Sequence, residues 1–319
     1  MSGPPYDEDA SSVRRGTAFG AGAYLIWGVF PLYFHLLLPA SALEILLHRV
    51  VWSLLVCLLA IAVLRDLSWV RPLLASPRRL LRLGVAAVFI AANWGVYIYG
   101  VNSGQVVETA LGYFINPLVT VLLGVVLLRE RLRRLQWAAV GLGAVAVVVL
   151  TVDYGHPPWI ALALAGSFAT YSLMKKRIGT QLGALAGLTT ETALLAPFAL
   201  AALVWVEVTG RGTFSDQPPW HGLLLVSTGI ATAVPLLLFA AAARRIPLST
   251  IGLLQFTTPG LQLLTGVFLL GEQVPASRWI GFGIVWAALA VLTIDMLRSA
   301  HGRRTAARDD ARAPATSST

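Results

Sequence analysis

Ten stretches of mostly apolar residues alternate along the chain with short polar segments. Each stretch has the length, about 20 residues, that a helix needs to cross the hydrocarbon core of a bilayer. The pattern therefore predicts an all-α integral membrane protein. We call the stretches spans 1 to 10, and their predicted bounds are 17–38, 42–64, 83–101, 106–128, 136–152, 159–175, 182–206, 221–243, 248–270 and 279–297.

The pattern repeats at a distance of 142 residues. Leu111–Asp153 aligns without a gap on Leu253–Asp295, and sixteen of the 43 aligned pairs are identical. The identical pairs include a Phe, a Pro, a Glu, a Trp and an Asp, which an apolar composition alone does not explain. Because each half then holds five spans, an odd number, the second half enters the membrane from the opposite side. Two inverted five-helix repeats are typical of alternating-access carriers.

The repeat divides the chain into four parts. We predict a first five-helix repeat at 17–152 and a second at 158–297. The segments 1–16 and 298–319 are polar tails rich in small residues, and we predict that they are disordered. A polar first tail also argues against a cleavable signal peptide.

Composition and charge support a membrane protein. Only 12% of the 319 residues are charged, whereas soluble domains carry roughly 25%. When the segments between spans are assigned alternately to two sides, 21 of the 24 Lys and Arg residues fall on one side, Arg211 and Arg278 on the other, and Arg49 within a span. This bias predicts a multi-pass protein of the cell (inner or plasma) membrane with both termini cytoplasmic. Since the basic residues flank the spans, the net charge of +9 does not indicate a nucleic-acid partner.

Polar side chains recur on one face of span 4 and on its repeat counterpart, span 9. Tyr113 and Asn116 lie on that face of span 4, and Gln255, Thr258 and Gln262 form the stripe of span 9. Helical periodicity places each set on a single face. Two such stripes predict a shared polar cavity that binds the substrate, because polar side chains inside a membrane usually face a bundle interior or water. Hydrogen bonds that only hold the bundle together are the alternative.

Two further pairs of residues bear on this cavity. Asn93 and Tyr97 are one helical turn apart in span 3, and we expect both to face the cavity. Pro117 and Pro259 are repeat mates that we expect to kink spans 4 and 9 and so to free carbonyl groups for a ligand. A purely structural kink is the alternative.

Five ionisable residues within the spans or at the start of one are the candidates for a charge network or for coupling: Glu44, His48, Arg49, Glu108 and Glu191. Glu44, Arg49 and Glu108 lie toward the outer end, which predicts a charge network there unless the two carboxylates reach the interface instead. Glu191 is close to the midplane, where a carboxylate is expected to carry a proton or to balance a substrate charge. Arg49 is its repeat counterpart, so we predict that the two pair in one carrier state or permanently.

Signals of enzymatic chemistry are absent from the sequence. It contains no HExxH motif, no GxSxG nucleophile elbow and no Gly-rich phosphate loop with its Lys. The single cysteine, Cys57, provides neither an intrachain disulfide nor a Cys-based metal site. His48 and Glu44, one turn apart, do not predict a metal by themselves. We therefore expect no enzyme, no catalytic residue, no metal and no cofactor.

Several motifs together carry a family likeness: GVFPLYF at 28–34, EILLHRVVW at 44–52, NWGVY at 93–97, and LGYFINPL at 111–118 followed by Glu130. They resemble the RarD-type branch of the EamA transporters, in the drug/metabolite transporter superfamily. The resemblance extends over about 17–297 and implies a ten-helix inverted-repeat carrier of the inner membrane, of a kind often described as a chloramphenicol-sensitive or drug permease. Relatives in the superfamily carry amino acids, other metabolites, nucleotide sugars or lipid-linked sugars, and the resemblance does not single out one of them.

Together these features predict a secondary carrier that exports a small organic solute by alternating access, with proton coupling as a further hypothesis. The export direction follows from the resemblance alone. The expected partners are the lipid bilayer and a small-molecule substrate. Two alternatives stay open: a membrane scaffold or sensor, and an intramembrane enzyme or flippase acting on a lipid-linked substrate.

Overall fold

The computed structural model describes residues 6–129, 132–178 and 182–310. Its regular structure is helical, and the described residues contain no strand. The all-α fold class predicted for the chain is therefore confirmed. The helices are α1 (Tyr6–Gly28), α2 (Phe30–His35), α3 (Ala42–Leu64), α4 (Val70–Leu74), α5 (Pro77–Asn102), α6 (Val106–Leu128), α7 (Arg134–Tyr154), α8 (Trp159–Ile178), α9 (Ala184–Val208), α10 (Pro219–Ala243), α11 (Leu248–Leu254), α12 (Thr257–Leu264), a π-helical turn (Thr265–Leu269) and α13 (Ala276–Asp310).

Eight of the ten predicted spans are helices that are long and apolar enough to cross a membrane, counted over the described residues. The other two are spans 6 and 9. Span 6 corresponds to α8, a helix of 20 residues whose last turns carry a run of basic residues. Span 9 is divided among α11, α12 and the π-helical turn, each too short to cross a membrane alone. Helical structure thus occupies all ten predicted positions, and eight of them qualify as spans.

Local signals explain where several helices begin and end. The hydroxyl of Ser41 accepts a hydrogen bond from the backbone N–H of Glu44 at 3.1 Å and so caps the start of α3. At the end of α7, Gly155 has a φ of 72°, a conformation that residues with a side chain rarely adopt. The outermost helices reach into the predicted tails, since α1 begins at Tyr6 and α13 continues to Asp310.

The chain forms two compact units that do not coincide with the two sequence repeats. The larger unit comprises Met1–Asn116 and Pro158–Val274. Within it, α5 packs against α8, α3 against α9 and α10, and α1 against α10 and α12. Its core joins Phe34 and Tyr97 of the first repeat to Leu225 of the second. The repeats are therefore interleaved in the folded unit.

The smaller unit comprises Pro117–Pro157 and Pro275–Thr319, and its main contact is between α7 and α13. The two helices approach closely because Gly281 of α13 has no side chain at the point where Leu150 of α7 is buried. A Cβ atom at Gly281 would lie 2.5 Å from the Leu150 side chain.

Repeat-related aspartates bind the ends of these two helices. Asp153, at the end of α7, accepts hydrogen bonds from the Ser277 hydroxyl and from Nε of Arg278 in the first turn of α13. Asp295 of α13 lies 2.8 Å from the guanidinium of Arg133, the residue before α7. The helices consequently run antiparallel, and each aspartate binds near the start of the other helix. This arrangement explains why both repeats carry an Asp at this position.

Candidate functional site

The two prolines predicted as kink positions occupy different helical environments. Pro117 lies inside α6, which continues to Leu128 as one helix, and the kink there stays a prediction. Pro259 is the third residue of α12, and the helical run is interrupted before it, between Leu254 and Thr257. The first turn of a helix tolerates proline because its N–H groups need no intrahelical partner. The break in span 9 therefore precedes its proline.

Polar side chains of spans 3, 4 and 9 meet in the larger unit. Gln262 donates from Nε2 to the hydroxyl of Tyr97 at 3.0 Å and to the carbonyl oxygen of Trp27 at 3.2 Å. The Tyr113 hydroxyl donates to Oδ1 of Asn93 at 3.3 Å. The ring centroids of Tyr97 and Tyr113 are 5.7 Å apart. The structure thus brings together four of the seven predicted substrate-binding residues.

Arg49 lies beside these residues and is only 5% exposed. Its Nε donates to the hydroxyl of Thr232 at 2.9 Å. Its guanidinium carbon is 4.2 Å from the ring centroid of Trp94 and 5.7 Å from those of Phe30 and Phe34. In the part of the chain that the structure describes, no carboxylate forms a salt bridge with Arg49. Aromatic faces partly compensate for the burial of this charge.

Ring contacts connect Arg49 to the tyrosines of the site. The ring centroid of Phe34, which is 5.7 Å from the guanidinium carbon of Arg49, is 5.8 Å from the ring centroid of Tyr97. Arg49 is thereby linked to the polar group formed by spans 3, 4 and 9. We refer to Arg49, Asn93, Tyr97, Tyr113 and Gln262 as the central cluster.

Three predicted substrate-binding residues are not joined to the central cluster by the contacts described above. Thr258 donates to the carbonyl oxygen of Tyr24 at 2.8 Å, which fastens α12 to α1. Gln255 follows α11 at the interruption in span 9 and is half-buried. Asn116, also half-buried, is the last residue of the larger unit's first segment.

Glu191 is 2% exposed and has a cation as its partner. Lys175 donates from Nζ to Glu191 Oε1 at 2.7 Å, and the hydroxyl of Tyr171 donates to Oε2 at 3.2 Å. Both donors lie on α8, one helical turn apart. The cation is therefore Lys175, whereas Arg49 was the partner predicted from the repeat.

Glu44 and His48 both contact the segment between α9 and α10, where the ring of His48 stacks on that of Phe214 with the centroids 5.0 Å apart. One oxygen of Glu44 accepts hydrogen bonds from the backbone N–H of Thr213 at 2.6 Å and from its hydroxyl at 3.0 Å. The Thr213 hydroxyl is 2.9 Å from Nε2 of His221, and Nδ1 of His48 accepts from Trp52 at 3.0 Å. Across the described residues, no group of three or more His, Cys, Asp or Glu side chains could hold a metal ion.

Glu108, in the first turn of α6, binds the first turn of another helix, α8, through its carboxylate. Its Oε1 accepts from the backbone N–H groups of Ile160 at 2.9 Å and Ala161 at 3.4 Å, in the first turn of α8. Negative charge is favourable at a helix N-terminus. Glu44, Arg49 and Glu108 therefore each bind a different element, whereas the sequence predicted a network joining them.

Several residues of the site carried little or no signal in the sequence. Thr232 and Arg49 are far apart in the chain, and nothing in the sequence pairs them. Lys175 counted only as one of the basic residues that flank a span, although its spacing from Tyr171 places both on one helical face. His221, at the start of α10, showed no motif at all.

The folded chain can now be compared with known proteins. The profile of the EamA-like transporter family matches residues 14–152 and, a second time, residues 157–294. The chain belongs to the EamA-like transporter family.

Its relatives place it in the RarD-type branch of the EamA-like transporters, which confirms the predicted resemblance. The chain is 52% identical to Protein RarD of Streptomyces exfoliatus, over 94% of each chain. It is 40% identical to Protein RarD of Escherichia coli (strain K12), over 91% of this chain and 97% of the relative. It is 31% identical to the chloramphenicol-sensitive protein RarD of Pseudomonas aeruginosa, over 89% of this chain and 95% of the relative.

A solved crystal structure shares the fold of this EamA-like transporter. The similarity has a TM-score of 0.56 at 19% sequence identity and covers 89% of this chain and 98% of the other. The family, the internal repeat and the apolar helices together identify a multi-pass membrane transporter of the drug/metabolite type. Such a protein fits a lipid bilayer as its surroundings and a small molecule as its substrate.

Proposed function

We propose that this EamA-like transporter is a secondary carrier of the inner membrane that exports a small organic solute by alternating access. The observation that carries the proposal is the central cluster, in which buried polar side chains and a buried arginine from several spans meet. Polar and ionisable groups are costly inside a membrane and commonly mark a solute pathway. The alternatives gain less support from these contacts. A scaffold does not need buried polar groups that meet at one place, and the contacts of the cluster do not pair a nucleophile with a base as an enzyme would.

The interrupted span 9 supports alternating access. Gln262 lies on α12, between the interruption at Gln255 and the π-helical turn that starts at Thr265. Carriers built from inverted repeats often place their solute sites on discontinuous helices, and π-helical turns are frequent at functional sites. In this proposal the solute binds at the central cluster, and Asn116, Gln255 and Thr258 line the path to it.

Glu191 is the proposed coupling group. In the conformation described it is paired with Lys175, and a paired carboxylate stays charged. If α8 and α9 separate in the other carrier state, the carboxylate loses its cation in a poorly hydrated environment and takes up a proton. Proton binding would then favour one state over the other, which links a proton gradient to the conformational change.

Export can be tested without knowing the solute in advance. Metabolites are compared in the medium of growing cells that produce the protein and of cells that lack it. The proposal predicts one or a few small organic solutes that are enriched in the medium and depleted inside the producing cells. Identical media, together with no solute that stabilises the purified protein in a thermal-shift screen, would contradict it.

A further inference from the structure

Arg49 is a buried cation whose expected anionic partner is not found among the described residues. The buried carboxylates of the larger unit are bound elsewhere: Glu191 to Lys175, Glu44 to Thr213, and Glu108 to backbone N–H groups at the start of α8. A charge without a counter-ion is strongly unfavourable in an apolar interior. A bound anion would remove this cost, and a carrier's solute site is a place where an anion comes and goes.

Most of the hydrogen-bonding capacity of the Arg49 guanidinium is unused. In the described part of the chain its one hydrogen bond runs from Nε to Thr232, so the two terminal nitrogens have no acceptor. The guanidinium carbon lies over the ring of Trp94, 4.2 Å from its centroid, and the two terminal nitrogens form one edge of the guanidinium group. That edge matches the two oxygens of a carboxylate, which a guanidinium binds through two parallel hydrogen bonds.

Two neighbouring groups have capacity left as well. The hydroxyl of Tyr97 accepts from Gln262, but its own proton has no acceptor among the described residues. Oε1 of Gln262 is buried and has no hydrogen-bond partner in the same set. Leaving such groups unpaired is costly. The site thus offers donors at Arg49 and Tyr97 and an acceptor at Gln262, beside the rings of Tyr97 and Tyr113.

From this arrangement we infer that the central cluster binds the carboxylate group of a small organic acid, an inference that rests on the proposed carrier function. The Arg49 guanidinium holds the two oxygens, Tyr97 donates a further hydrogen bond, and the tyrosine rings pack against the apolar part of the acid. One guanidinium balances one negative charge. A phosphate monoester, which carries close to two charges at neutral pH, is balanced less well.

The test uses the purified full chain in detergent and matched acids and amides. The probes are benzoate, phenylacetate and hexanoate, each compared with its neutral amide, and binding is read from the thermal shift and from tryptophan fluorescence, since Trp94 lies on the guanidinium. We expect an acid to bind about tenfold or more tightly than its amide. We expect Arg49→Gln to abolish this preference.

Arg211→Gln is the matched control, because Arg211 also lies over a tryptophan ring, that of Trp205 at 5.2 Å, but is exposed. It should keep the preference for acids. Arg49→Lys keeps the charge without the forked geometry and should bind acids weakly. The comparison of acid with amide in the unaltered protein needs no variant, so it holds even if an Arg49 variant does not fold.

Three results would overturn the inference: amides that bind as tightly as acids, no acid that binds, or an Arg49→Gln protein that still prefers acids. The carrier function has separate outcomes. If the exported solute is neutral, the carrier function is supported, and the inference that the solute carries a carboxylate is contradicted. If acids bind at Arg49 but no solute crosses the membrane, the carboxylate site stands and the carrier function is contradicted.

Discussion

At the scale of single residues, three buried carboxylates are stabilised in three different ways. Glu191 is bound to a lysine, Glu108 accepts backbone N–H groups at the start of α8, and Glu44 accepts the N–H and hydroxyl of Thr213. A carboxylate bound to a helix N-terminus is fixed as long as that helix keeps its position. An ion pair between two helices can open when they move apart. Glu191 is therefore the best suited of the three for coupling.

Glu191→Gln tests this assignment. Glutamine has nearly the same shape as glutamate and can still form a hydrogen bond. It carries no negative charge and cannot take up a proton when it loses its partner. We expect the variant to lose transport driven by a proton gradient while it still exchanges solute across the membrane. Initial rates with and without an imposed gradient, measured in vesicles, separate the two activities.

Asp216→Asn is the control for removal of a negative charge, since Asp216 is exposed in the segment between α9 and α10. It should transport as the unaltered protein does. If Glu191→Gln moves solute uphill as well as the unaltered protein, Glu191 is not the coupling group.

The residues of the site were predictable from the sequence to different extents. An ionisable side chain in an apolar stretch is recognisable at once, so Arg49 and Glu191 stood out. Their partners did not, because contacts such as Arg49 to Thr232 join residues far apart in the chain. Packing of α3 against α10 brings these two together, and no periodicity within either helix records it.

At the scale of helices, positions were predictable, whereas the exact place and form of an interruption were not. The apolar pattern located α6 and the region of α11 and α12 correctly, because burial in lipid depends on composition over a long stretch. The interruption at Gln255 depends on local backbone geometry, which a hydrophobic pattern does not contain. Pro259 indicated only that a regular helix would be disturbed nearby.

The packing of α3 against α10 depends on a glycine. A Cβ atom at Gly229 of α10 would lie 2.5 Å from the backbone carbonyl of Trp52 in α3. Because backbone atoms on two packed helices cannot move away independently, we expect Gly229→Ala to lower the free energy of unfolding by about 1–3 kcal/mol. The melting temperature in detergent measures the effect.

Gly166→Ala is the matched control on α8, where an added Cβ meets no atom within 4 Å. Alanine is also the better helix former, so this variant should melt at the same temperature or higher. Equal melting temperatures for Gly229→Ala and the unaltered protein would show that α3 and α10 do not pack this closely.

At the scale of the whole molecule, the sequence repeat predicts opposite orientations for the two halves. The prediction is tested with single cysteines in a Cys57→Ser background and a thiol reagent that does not cross membranes. Cysteines at Ser103, His156 and Gln273 are expected to react in intact cells, because these loop positions are exposed and predicted to lie outside. Cysteines at Ser76 and Arg133 should react only after the cells are opened.

The unaltered protein provides a blank for this experiment, since Cys57 is fully buried. The opposite result in intact cells is labelling of cysteines at Ser76 and Arg133 but not at Ser103, His156 and Gln273. It would show that the topology is the reverse of the predicted one. It would contradict the prediction that both termini are cytoplasmic.

The central claim is that this EamA-like transporter moves its solute through the central cluster, and solute exchange in proteoliposomes tests it most directly. The solute found in the medium of producing cells is loaded on one side, and its labelled form is added on the other. We predict exchange by the purified protein, and exchange about tenfold or more slower for Tyr97→Phe and Gln262→Ala, which each remove a hydrogen bond of the cluster. Exchange no faster than in protein-free liposomes, or equally fast in these variants, would contradict the account.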